Sequence, residues 1–111
     1  MIPYSRQYLF PKDIKNVNKV LRSDYLTQGK EIPKFEKKIS NFCKSKYALV
    51  VNSATSALHL TCLALGLKKK DYLWTVPITF VASSNCALYC GAKIDLVDID
   101  KDTLNIDIEC L

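Results

Sequence analysis

The residue types best suited to chemistry lie in one short stretch, Asn52-Ser53-Ala54-Thr55-Ser56, between the apolar run YALVV (residues 47–51) and the hydrophobic segment TSALHLTCLALGL (55–67). If the first run is a strand and the second a helix, this hinge opens a helix. A helix start presents unpaired N–H donors and about half a positive charge, an arrangement that favours an anion, above all a phosphate. Small side chains let the backbone approach such a group closely. Asn52 or Ser53 is a candidate cap, and the hydroxyls of Thr55 and Ser56 are candidate donors beside their own amides. Each hydrogen bond to a charged group contributes about 1.5–3 kcal/mol, so three or four would anchor a phosphorylated ligand. The same residues also compose an ordinary Ser/Thr N-cap, worth about 1 kcal/mol and binding nothing. They are not a Walker loop, because no Gly-Lys-Ser/Thr follows, and they lack the G-x-G-x-x-G pattern.

The elements around the hinge decide where it points. Short apolar runs at 47–51, 72–77 and 93–99 alternate with helical segments at 55–67 and 80–91, the latter closed by Gly91. This alternation predicts an α/β fold with right-handed βαβ crossovers and a mostly parallel sheet covered on both faces. Ligands of open α/β sheets gather beyond the carboxyl ends of the strands, which is where the hinge lies. Upstream, an extended start through Tyr4 leads to a helix opened by Pro11, with Ile14, Val17 and Leu21 at helical spacing. A second amphipathic helix is predicted over 31–45, its stripe made of Ile32, Phe35, Ile39 and Phe42. The loop DYLTQG joins them and ends at Gly29.

Composition narrows the function classes. With 111 residues, 49% of them hydrophobic, the chain has material for one globular unit burying on the order of two-thirds of its unfolded surface. The net charge is +5, but the lysines run from Lys12 to Lys101 without a basic stripe interleaved with aromatics, so a solvated surface is expected and not a nucleic-acid face. Lys68-Lys69-Lys70 stands where a helix should stop, and the helix dipole accounts for it. Five cysteines, an odd number without a targeting pattern, fit a reducing cytosol, and no apolar run approaches the roughly 20 residues of a membrane span. A soluble, cytoplasmic protein is expected. Cys86 and Cys90 share a helix face but make a poor zinc site by themselves. The acids Asp98, Asp100, Asp102 and Glu109 have calcium-loop spacing, yet Thr103 occupies the position that requires glycine. His59 and Trp74 read as packing residues. The last residues, DTLNIDIECL, read as a turn and the beginning of another helix, so the chain is expected to be an N-terminal piece of a larger protein.

Four segments in register, LTQG, VNSATSALHL, LWTVPITFVASSNCALYCGAKIDLVDID and NID, resemble the DegT/StrS sugar aminotransferases. The resemblance covers nearly the whole chain. Within that family it is closest to transaminases acting on UDP-linked 4-keto-6-deoxy sugars on the route to pseudaminic acid. It implies a fold-type-I (aspartate aminotransferase-like) enzyme using pyridoxal 5′-phosphate, with residues 1–111 supplying the N-terminal segment and first βαβαβ part of the large domain. Ala54, Thr55 and Ser56 then correspond to the turn gripping the cofactor phosphate, and Phe80 to the aromatic stacked on the pyridine ring. Many family members have Gly where this chain has Ala54, and a methyl group there requires a negative φ. Tyr4, Asp24, Tyr25, Leu26 and Thr27 correspond to segments lining the sugar site, helped by a second subunit of a homodimer. Glutamate is the implied amino donor. The family's cofactor-bonding lysine and the acid that protonates the pyridine nitrogen lie downstream of the matching region, so the chain is expected to be inactive alone. Some relatives carry histidine in place of that lysine and dehydrate instead. A phosphate-binding α/β module without catalysis, or an interaction fragment docking through the helix at 31–44, remains a rival reading.

Overall fold

The computed structural model describes residues 2–111, in two compact units, one running to Val50 and the other Val51–Leu111. In the first, helix α1 (Pro11–Leu21) begins as predicted, with proline in the first turn, where its missing N–H costs nothing. The Asp13 carboxylate accepts the Phe10 N–H at 2.9 Å and satisfies the chain just ahead of the helix. Helix α2 (Glu31–Cys43) carries the predicted stripe and ends where Lys44 turns left-handed at φ 53°, two residues before the predicted limit. Between the helices the left-handed residue is Gln28 (φ 54°). Gly29 is required for a different reason: a Cβ there would meet the Tyr25 carbonyl oxygen at 2.8 Å.

The predicted strand at 47–51 does not form. Two of its backbone groups are met by side chains, the Val50 N–H donating to Glu36 Oε1 at 3.0 Å and the Tyr47 carbonyl accepting from the Ser45 hydroxyl at 2.9 Å. A strand exists only through a hydrogen-bonded neighbour, and an apolar run cannot supply one from its own sequence.

The second unit holds a single βαβ crossover. Helix α3 (Ala54–Ala64) is followed by β1 (Tyr72–Thr75), helix α4 (Ala82–Tyr89) and β2 (Lys93–Leu96). The strands pair in parallel, Tyr72 opposite Lys93 through Thr75 opposite Leu96. The observed sheet therefore has two strands, not three, and α4 packs against both of them and against α3. Two glycines end the helices by the same device. Gly66 (φ 77°) and Gly91 (φ 71°) turn left-handed, and the next residues return N–H groups to Cys62 and Ala87 carbonyls at 3.0 Å. The lysine run at 68–70 lies beyond the last turn of α3, in a turn closed by the Lys68 N–H on Asp71 Oδ2 at 2.9 Å. The helix dipole fades within one turn, so it reaches these lysines only weakly.

The core is small: Cys62, Ala82, Cys86, Ala87, Ala92 and Val97. Strand β2 is exposed throughout, and Trp74 is half exposed instead of packed. The accessible surface is 10324 Å², against about 6,200 Å² for a folded chain of this mass, so burial reaches roughly two-fifths and not two-thirds. The apolar stripes of α1 and α2 account for part of the difference: Ile14, Val17, Leu21, Phe35 and Phe42 are all exposed. After β2, Ile99 bridges Ile106 in antiparallel sense, and a short 3-10 helix, Ile108–Cys110, stands where a further helix was predicted.

Candidate functional site

The hinge opens helix α3. Ser53 is its N-cap, with extended backbone (φ −157°, ψ 156°) and a hydroxyl accepting the Ser56 N–H at 3.1 Å. Of the two candidate caps, Ser53 takes the role, and Asn52 acquires another: its Oδ1 accepts the Ser56 hydroxyl at 2.9 Å. Ser53 Oγ and Ser56 Oγ stand 3.0 Å apart. The Ser56 hydroxyl is thus hydrogen-bonded within the turn, to Asn52 on one side and beside the Ser53 hydroxyl on the other.

The free donors are therefore specific. The Ala57 N–H continues the helix to the Ser53 carbonyl at 3.1 Å. Among the described residues no partner is recorded for the N–H groups of Ala54 and Thr55 or for the Thr55 hydroxyl. Ala54 is the first residue of α3 and is absent from the residues of positive φ, so its methyl group is compatible with the turn. Two backbone donors and the positive end of the dipole face the space ahead of the helix, and the Thr55 hydroxyl stands on its first turn.

Phe80 lies in the same unit, immediately before α4 and beyond the carboxyl end of β1. Its side chain is 74% exposed. Its carbonyl accepts the Ser83 N–H at 3.0 Å, and the flanking hydroxyls of Thr79 and Ser83 are 3.1 Å apart. The sequence reading missed this hydroxyl pair. The signal was present as Thr-x-x-x-Ser, a spacing at which side chains meet across the start of a helix.

In the first unit, Asp24, Tyr25 and Leu26 line a cavity of about 460 Å³, together with Lys19, Gly29 and Lys30. Thr27 and Tyr4 do not line it, and both are exposed. The cavity wall also carries the Glu31–Lys34 ion pair, 2.7 Å between Oε1 and Nζ. The Lys34 ammonium, bonded to the Glu31 carboxyl, holds that carboxyl below its ordinary value.

The remaining chemistry-bearing groups have local duties. Asp100 Oδ1 accepts the Thr103 N–H and hydroxyl at 2.7 Å each and the Asp102 N–H at 3.2 Å. This acid closes a turn, which explains the calcium-like spacing without a cation. His59 stands edge-on to Tyr89 at 5.2 Å, between α3 and α4. All five cysteines are free thiols; Cys62 and Cys86 are buried, Cys90 is partly so, and Cys43 and Cys110 are exposed. Burial, then the neighbouring Cys86 and Cys90 thiols, push the Cys62 thiol up to about 11. No helix among the described residues is long and apolar enough to cross a membrane.

Known proteins place this geometry in a family. Residues 8–111 match the DegT/DnrJ/EryC1/StrS aminotransferase family. Over 107 residues the chain is 47% identical to a UDP-4-amino-4,6-dideoxy-N-acetyl-beta-L-altrosamine transaminase of Campylobacter jejuni, covering 96% of this chain and 28% of that relative. A spore coat polysaccharide biosynthesis protein of Bacillus subtilis is 38% identical over 106 residues, with 96% and 27% covered. Among solved structures, a sugar aminotransferase of Streptococcus pneumoniae in its PLP form superposes with a TM-score of 0.90 at 29% identity, covering 98% of this chain and 28% of that one. An aminotransferase from Psychrobacter cryohalolentis gives 0.87 at 31% identity, with 97% and 28% covered. This chain thus spans little more than a quarter of the length of these relatives. Its match over residues 8–111 and its superposition on fold-type-I aminotransferases make it a member of the DegT/DnrJ/EryC1/StrS aminotransferase family.

Proposed function

We propose that this chain supplies the phosphate-gripping turn and the ring-stacking face of a pyridoxal 5′-phosphate-dependent sugar aminotransferase. In this reading the whole enzyme moves an amino group from glutamate to C4 of a UDP-linked 4-keto-6-deoxy sugar, on the route to pseudaminic acid. The observation that carries the reading is the start of α3, where Ser53 caps the helix and leaves the Ala54 and Thr55 amides and the Thr55 hydroxyl without partners. Those donors fit a phosphate dianion, and the exposed flat face of Phe80 fits a heteroaromatic ring.

When bound, the cofactor supplies an electron sink that makes the amino-bearing carbon acidic. The protein's own part is positional. Ala54 and Thr55 hold the phosphate through N–H groups and the Thr55 hydroxyl, while Ser56, bonded to Asn52, fixes the shape of the turn instead of touching the anion. Phe80 sets the tilt of the ring. Asp24, Tyr25 and Leu26, from the walls of the 460 Å³ cavity, and Tyr4 and Thr27 near them in sequence, are assigned to the sugar substrate. A homodimer in the cytoplasm completes the reading.

The test is a titration of the 111-residue chain with pyridoxal 5′-phosphate, followed by the displacement of its absorbance band. Binding is expected to weaken about tenfold in Thr55→Val, equivalent to one charge-assisted hydrogen bond of about 1.4 kcal/mol. Inorganic phosphate should compete. Equal affinity for pyridoxal 5′-phosphate and for inorganic phosphate, in both the parent and Phe80→Ala, would instead support a simple phosphate-binding module.

A further inference from the structure

The turn that carries Phe80 is built more rigidly than an exposed loop requires. Thr79 Oγ1 and Ser83 Oγ, 3.1 Å apart, link the residue before Phe80 to the third residue after it. The Ser83 N–H also donates to the Phe80 carbonyl at 3.0 Å. The next carbonyl, that of Val81, accepts three bonds: the Ser84 N–H at 3.2 Å, the Asn85 N–H at 2.9 Å and the Ser84 hydroxyl at 3.0 Å. One residue further on, Ala82 is buried, and Cys86 and Ala87 seat α4 in the core. Upstream, the Thr75 carbonyl at the end of β1 accepts the Val97 N–H at 3.0 Å. The segment between Thr75 and Ala82 is therefore fixed to the sheet at one end and to α4 at the other, while the ring it displays is exposed.

We propose that Thr79 and Ser83 are positioning residues, whose mutual hydrogen bond fixes the Phe80 ring in the orientation needed to receive a heteroaromatic ligand. This rests on the reading of the site given above. The hydroxyl pair lies at the surface, where a hydrogen bond exchanged for water adds little to the fold. What it removes is the freedom of residue 80 to swing. A ligand ring that stacks on Phe80 then meets a surface already ordered, and affinity rises because no ordering remains to be done on binding. The effect is confined to the ring. The phosphate donors of α3 lie elsewhere in the sequence and share no hydrogen bond with Thr79 or Ser83.

The experiment compares the 111-residue chain with Thr79→Val, Ser83→Ala, the double variant and the conservative Thr79→Ser. The probes are pyridoxal 5′-phosphate and, separately, inorganic phosphate. Two quantities are read: the dissociation constant, and the circular dichroism induced in the pyridoxal band, which reports whether an achiral ring is held in one orientation. Thr79→Val and Ser83→Ala are each expected to weaken pyridoxal 5′-phosphate about three- to tenfold and to flatten the induced band. The double variant should lose no more than either single one, because both remove the same bond. Thr79→Ser should restore the band, and affinity for inorganic phosphate should be unchanged throughout. Unaltered affinity and band in both single variants overturn the inference and leave the site reading intact. Loss of phosphate binding in step with the band, or loss of far-ultraviolet helical signal, shows a merely structural role and also overturns it. Failure of the parent chain to bind pyridoxal 5′-phosphate overturns both proposals together.

Discussion

Ser53 and Ser56 hold each other at the head of α3: the Ser56 N–H donates to the Ser53 hydroxyl at 3.1 Å, and the two hydroxyl oxygens stand 3.0 Å apart. The cap and the proposed anion grip therefore use different atoms of one turn. Substitutions at Ser53 separate them. Ser53→Ala removes the cap and should cost about 1 kcal/mol, read as a lower urea midpoint. Ser53→Asp keeps a capping oxygen and adds a favourable charge at the dipole's positive end, so stability should equal or exceed that of the parent. The same carboxylate repels a phosphate dianion, and pyridoxal 5′-phosphate affinity should fall by more than about tenfold. Undiminished affinity in Ser53→Asp would place the anion elsewhere.

Gly29→Ala tests the wall of the 460 Å³ cavity. The added methyl group meets the Tyr25 carbonyl oxygen at 2.8 Å, a backbone atom that cannot swing aside. The loop must shift, at a cost of about 1–3 kcal/mol. Faster amide exchange across residues 23–34 would register it, with Gly66→Ala as the contrasting variant. There the strain comes from φ 77° alone, since nothing lies within 4 Å of the added carbon.

Cys62 makes stability depend on pH in the alkaline range. Burial and the Cys86 and Cys90 thiols push its folded-state pKa from an ordinary 9.0 to about 11, so the fold favours the protonated thiol. With the folded value above the unfolded one, this contribution is complete below pH 9 and is lost as pH rises towards 11. Urea midpoints measured from pH 8 to 11 should decline, and Cys62→Ala should remove part of the slope. At pH 8, alkylation should reach Cys43 and Cys110 well before Cys62. A Cys62 that reacts as quickly as Cys43 would contradict this account.

Asp100 behaves in the opposite sense. The Thr103 hydroxyl, then the Thr103 and Asp102 amides, hold its carboxyl below the ordinary 3.8. A lowered folded value means that its contribution is present above pH 3.8 and fades as pH falls through the folded value. Thr103→Val removes the leading donor. The Asp100 titration midpoint, followed by the carboxyl carbon resonance, should then move up towards the ordinary value.

Residue types alone were enough to find the turn before α3, the opening of α1 at Pro11 and the close of α4 at Gly91, because these effects act within four or five residues of chain. The end of α3 was not found: the predicted helix runs through Gly66 to residue 67, whereas α3 ends at Ala64 and Gly66 turns left-handed. Short-range chemistry of that kind is written locally. Which of Asn52 and Ser53 became the cap was not, since both have suitable oxygens and only the folded backbone gave Ser53 the extended conformation the role needs. The hydrogen bond from Ser56 to Asn52 was equally invisible, and so was the hydroxyl pair flanking Phe80.

Pairing was the least legible feature. YALVV has the composition of a strand, yet only residues 72–75 and 93–96 form a ladder, because pairing depends on a second segment arriving alongside. Sequence by itself determined where α1 and α3 could start and α4 could stop, the α/β character and the family resemblance, because these follow from side-chain type and backbone freedom at neighbouring positions. Tertiary structure alone decided which strands paired, which thiols were buried and which hydroxyls remained free to bind, because each of those depends on what a distant part of the chain brings into hydrogen-bonding or packing distance.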